Sequence, residues 1–168
     1  MSLKREAGWE SGSSQPAILV LGLGNPLRGD DGVGARVIKE LQNCNLPKGV
    51  IAEEWISDGV GLLQIIEEGW DHILVVDSAK IGLQPGKFMR FTSDRVNLKD
   101  RSFSPHRASL AEALNLAKAL DKKLPPITIF GIQPAEITWG EELSPVIQNV
   151  VPDLVNSILK EINCIRRS

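Results

Sequence analysis

Ala17-Ile18-Leu19-Val20-Leu21-Gly22-Leu23 is a continuous apolar run that stops at Gly24-Asn25-Pro26. A short apolar run closed by turn residues reads as a strand buried on both faces. Beyond it the period changes. Val33, Val37, Ile38 and Leu41 recur at helical spacing behind Asp30, a good N-cap, so a helix is expected at about 31–43. A second strand is expected at about 50–56, ending at Ser57-Asp58-Gly59, followed by a short helix that carries Leu62, Leu63, Ile65 and Ile66 and closes at Gly69. Ile73-Leu74-Val75-Val76 then reads as a third buried strand ending at Asp77.

A β-α-β-α-β opening implies a parallel sheet with right-handed crossovers and helices on both faces. The expected fold class is therefore α/β. Gly86–Phe91 and Pro126–Gly131 are expected to add edge strands, giving a three-layer α/β/α arrangement around a mostly parallel twisted sheet of about five strands. Helices are expected at about 105–120 and 145–163, the second kinked by Pro152. Residues 1–16 read as a flexible N-terminal tail, 17–163 as a single α/β domain and 164–168 as a C-terminal tail.

Composition narrows the partners. The chain has 168 residues, an apolar fraction of 42% and a formal charge of -2, so it has the means for a real core but no positive field to hold nucleic acid or an anionic membrane. No apolar run reaches the ~20 residues of a membrane span. Cys44 and Cys164 are the only cysteines, lack metal-type spacing and suit a reducing cytoplasmic location.

Ligands of open α/β sheets bind beyond the carboxyl ends of the strands, and the expected strand ends are Asn25, Asp58 and Asp77, with Asp31 just past the first. Three carboxylates brought to one edge by separate crossovers suit a cation better than an anion. Ser104-Pro105-His106 reads as N-cap, N1 and N2 of a helix, where the positive helix end favours the neutral imidazole that ligates metal. Each residue also has a plain reading. Asp30 and Asp31 suit any helix start, Asp58 an Asx-turn with Gly59, Asp77 a strand stop, and His106 a helix surface. His72, beside Asp71, reads as an edge residue entering the third strand. Phosphate binding is excluded on two counts. Leu27 stands where a dinucleotide fingerprint needs its third glycine, and Asp30-Asp31 stands where a phosphate loop needs Lys-Ser/Thr. Arg28 is left as a cation beside the site, either substrate-binding or solvated.

The stretch Gly22-Leu23-Gly24-Asn25-Pro26-Leu27-Arg28-Gly29-Asp30-Asp31-Gly32-Val33-Gly34 resembles the signature opening of nickel-iron hydrogenase maturation proteases. The resemblance continues through Asp58-Gly59, Val76-Asp77-Ser78-Ala79, Ser104-Pro105-His106, Phe130-Gly131-Ile132-Gln133-Pro134 and Leu143-Ser144-Pro145, in order over about 17–162. It implies a phosphorylase/hydrolase-like α/β fold and an endopeptidase that trims the C-terminal extension from a hydrogenase large-subunit precursor after nickel insertion. It further implies that Asp31, Asp77 and His106 ligate the metal, with nickel brought by the precursor and other divalent ions able to substitute. Asp31, Asp77 and Asp58 are the implied catalytic carboxylates. Val60 departs from the small and hydroxyl-bearing residues usual after Asp58-Gly59.

The expected mechanism is metal-anchored hydrolysis in which metal polarises the scissile carbonyl or a water and a carboxylate oxygen acts as general base. An Asp31–Asp77 dyad sharing a proton is the alternative. No serine or cysteine stands in a nucleophile's setting. Two other readings compete. The Gly-Leu-Gly-Asn-Pro start is similar to that of peptidyl-tRNA hydrolases, but the charge is wrong for a tRNA surface. A metal-sensing assembly factor that inspects the precursor without cutting it would use the same cleft. A monomer is expected, with Trp9 or Trp139 as the residues that could mark an interface.

Overall fold

The computed structural model describes residues 14–56, 59–93 and 105–168. Most of the expected N-terminal tail, residues 1–13, lies outside them. In chain order the elements are β1 (Ile18–Leu23), a 3-10 turn (Gly29–Gly32), α1 (Val33–Gln42), β2 (Val50–Trp55), α2 (Gly59–Ile66), β3 (His72–Ser78), β4 (Phe88–Thr92), α3 (Pro105–Ala119), β5 (Ile127–Ile132) and α4 (Pro145–Arg167). The five strands lie in the order β2-β1-β3-β5-β4. All neighbours are parallel except β4, which runs antiparallel along β5.

The apolar runs fold as central strands because both of their faces are covered. In β1, Ile18 and Val20 pack against α1 and α4, while Leu19, Leu21 and Leu23 pack against α2 and α3. The period of two that separates these sets is the strand's own alternation. Gly22 and Gly34 let α1 lie directly on the sheet. A methyl group at Gly22 would meet the Gly34 carbonyl, and one at Gly34 would meet the Leu23 carbonyl.

Four expectations are corrected. The first helix starts two residues later than Asp31, at Val33, because residues 29–32 close a tighter 3-10 turn first. Asp30 is not its N-cap: that position is Gly32, and no side chain caps it. β5 is not an edge strand. It pairs with β3 on one side and β4 on the other, as its six buried residues require. α4 runs on to Arg167 and remains one helix through Pro152, so it takes in most of the expected C-terminal tail. Its inner face, Ile147, Val151, Leu154, Ile158 and Ile162, keeps helical spacing throughout and is buried.

Candidate active site

The first crossover leaves β1 toward β2, and the second takes the chain to β3 on the other side of β1. The carboxyl ends of β1 and β3 therefore flank the point where the winding reverses, where open α/β sheets hold their ligands. Asp31 follows β1 on the 3-10 turn, and Asp77 is the penultimate residue of β3, opposite Gly131 of β5. The turn packs on β3. Both aspartates are 0% exposed.

The turn that delivers Asp31 is built by its own backbone and Asn25. Asn25 Oδ1 accepts the Leu27 N–H at 2.9 Å, and the Arg28 and Asp31 N–H groups bond to the Asn25 and Arg28 carbonyls at 3.1 and 3.2 Å. Asp31 Oδ2 accepts the Asn25 N–H at 3.1 Å, which fixes the carboxylate against the start of the turn. Gly24, at φ 125°, makes this possible, because a side chain there would run into the Asp31 carbonyl and the backbone angle itself is hostile to L residues.

Asp30 has a different job from its neighbour. Its Oδ2 accepts the Ala135 N–H at 2.9 Å, the Glu136 N–H at 3.1 Å and the Ser144 hydroxyl at 2.9 Å, and its Oδ1 accepts the Ser144 N–H at 2.7 Å. A carboxylate holding four donors is a structural clamp. It pins the strap of residues 134–144 over the turn, and it explains why Ser144, the N-cap of α4, makes no side-chain cap bond. The strap also pairs with the turn directly, through Gly29 N–H to Gly140 O at 2.7 Å and Gly140 N–H to Leu27 O at 3.0 Å.

Asp77 shares its sheet face with Ile73 and Val75, the face packed by α2 and α3. Because α3 feeds β5, its far end lies near the strand's start, and its beginning, Pro105-His106, lies toward the carboxyl edge. The His106 side chain is outside what the structure describes, as are Ser104 and Asp58 entirely. Among the described residues, no three His, Cys, Asp or Glu side chains form a group able to hold a metal. Arg28, read as a cation beside the site, has its guanidinium carbon 6.0 Å from the centre of the Trp139 ring. The clamp role of Asp30 was missed by sequence reasoning. Its partners stand in stretches already singled out, around Pro134 and Leu143-Ser144-Pro145, but nothing in their spacing tied them to Asp30.

Comparison with known proteins gives this arrangement its family. The family profile described as hydrogenase maturation protease matches residues 35–161. The chain belongs to the hydrogenase maturation protease family. A protein of Methanocaldococcus jannaschii named for the same family is 33% identical over 150 residues, covering 86% of this chain and 96% of that protein. The maturating endopeptidase HybD of Escherichia coli superposes with a TM-score of 0.79 at 25% identity, covering 87% of this chain and 91% of that one. The [NiFe] hydrogenase maturation protease HybD of Thermococcus kodakarensis gives 0.71 at 30%, covering 86% and 98%. The expected α/β fold and peptidase class are thus borne out, and the tRNA-hydrolase reading falls. No helix among this protease's described residues is long and apolar enough to cross a membrane.

Proposed function

We propose that this protease removes the C-terminal extension of a [NiFe] hydrogenase large-subunit precursor once nickel is in place, and that Asp31, Asp77 and His106 meet that nickel as ligands. The observation that carries the reading is the pair of fully buried aspartates at the switch point, Asp31 on the turn that follows β1 and Asp77 near the end of the adjacent β3. Two carboxylates held beneath the surface at one edge favour a cation as the group they receive. An imidazole from the start of α3 would complete an O, O, N set that suits nickel and tolerates other divalent ions.

In this reading nickel is part of the substrate, and it supplies polarisation of the scissile carbonyl or of a water. The protein's share is positioning. The bond from Asn25 N–H holds Asp31 in one orientation, and Asp77 is fixed by the strand that carries it. A carboxylate oxygen turned from the metal takes a proton from water as general base, and Asp58 orients that water or the scissile backbone. A monomer acting in the cytoplasm is proposed, which the free thiols of Cys44 and Cys164 support.

Intact-mass measurement on nickel-loaded precursor tests the assignment. Wild-type protein should release a C-terminal peptide, whereas Asp31→Asn, Asp77→Asn and His106→Ala should each slow release by at least about a hundredfold, the scale of losing a catalytic acid–base or ligand group. Near-wild-type rates in all three variants would refute the ligand set.

A further inference from the structure

Trp139 is 84% exposed, yet the strap that carries it is hydrogen-bonded to Asp30 and to the turn at Leu27 and Gly29. Asp30, itself 1% exposed, holds the strap from Ala135 to Ser144, and Gly140 pairs with Leu27 and Gly29 on the turn that ends at Asp31. The clamp fixes the backbone on either side of Trp139, so the indole stands out from an anchored loop, with the Arg28 guanidinium 6.0 Å from its ring centre. Leu27, 50% exposed, belongs to the same surface. An exposed aromatic on an anchored loop beside a candidate site is the kind of group that anchors a protein partner.

The surroundings define the partner. From Ala135 to Ser144 the strap carries Glu136, Glu141 and Glu142, all exposed, and no Lys or Arg. A hollow of about 190 Å³ continues the surface between turn and strap; the strap's side of it carries Glu141 and Glu142, and the helix side carries Lys39 and Arg36, the latter paired with Glu40. We propose that this strap is the docking surface for the stretch of precursor flanking the scissile bond, and that it selects a stretch combining an apolar side chain with Lys or Arg. The apolar side chain packs on Trp139 and Leu27, and the basic residues face the strap glutamates. This rests on the precursor-protease reading above. Continuity with the turn bearing Asp31 makes the flanking segment, rather than a remote domain of the precursor, the occupant.

Equilibrium binding of nickel-loaded precursor and its cleavage kinetics test the proposal together. Trp139→Ala should raise Kd and KM roughly tenfold, as loss of an interface anchor does, and Trp139→Phe should recover most of that loss. The double variant Glu141→Gln, Glu142→Gln should weaken binding severalfold and flatten its dependence on salt. Leu120→Ser, 54% exposed beyond the far end of α3, is the control and should change neither. Kd and KM within twofold of wild type for folded Trp139→Ala, with cleavage intact, would overturn the docking surface and leave the protease reading standing. Binding weakened by Trp139→Ala without any cleavage by wild type would instead support the surface and count against the reading of the reaction.

Discussion

His72 begins β3 with its ring Nε2 3.0 Å from the buried Thr128 hydroxyl. Burial pushes its pKa below the ordinary imidazole value, the nearby Glu161 carboxylate opposes that shift, and Arg90 reinforces it. The folded protein therefore keeps His72 neutral to a lower pH than the unfolded chain does. Stability from this residue is fully present above the unfolded pKa and is lost as pH falls through the folded one. Thermal melts between pH 7.5 and 5 should show wild type losing more stability than His72→Gln; parallel curves would contradict it. The sequence reading had His72 entering the third strand, which it does, but its partner comes from β5 and no local pattern could disclose that. Asp31 and Asp77 were legible for the opposite reason. Each ends or follows an apolar run, so placing the run places the residue. Asp30 was misread because capping is the common use of an aspartate before a helix, and its partners lie more than a hundred residues away in the chain.

Among the elements, β1 and β3 were the easiest to read, since a run buried on both faces leaves no alternation to confuse. What periodicity could not give was order in the sheet. β5 was expected at an edge, yet it lies inside, because β4 returns antiparallel to cover it. Pro152, expected to kink the last helix, lies inside a continuous α4, whose apolar face is buried on both sides of it. The strap is the element whose stability is most concentrated in one group. Asp30→Ala would strand the N–H groups of Ala135, Glu136 and Ser144, at a cost of about 3 kcal/mol, while Ser144→Ala removes one hydroxyl bond and should cost about 1 kcal/mol. Denaturant titrations can compare the two. An Asp30→Ala loss no larger than that of Ser144→Ala would show that the clamp contributes little.

At the scale of the molecule, two apolar layers hold one edge of a parallel sheet rigid, and the chain brings to that edge a clamped turn, a strap and the end of β3. Under the function proposed above, that placement matters, because carboxylates meant to receive a metal already bound in another protein would have to be in position before the two proteins meet. In the proposed function, nickel in the precursor is what the two aspartates receive. The most direct measurement is the cleavage rate, by intact mass, of one precursor preparation divided into nickel-loaded and nickel-free halves. Peptide release from the loaded half alone is expected, and equal release from both halves would rule out nickel as the group the aspartates recognise.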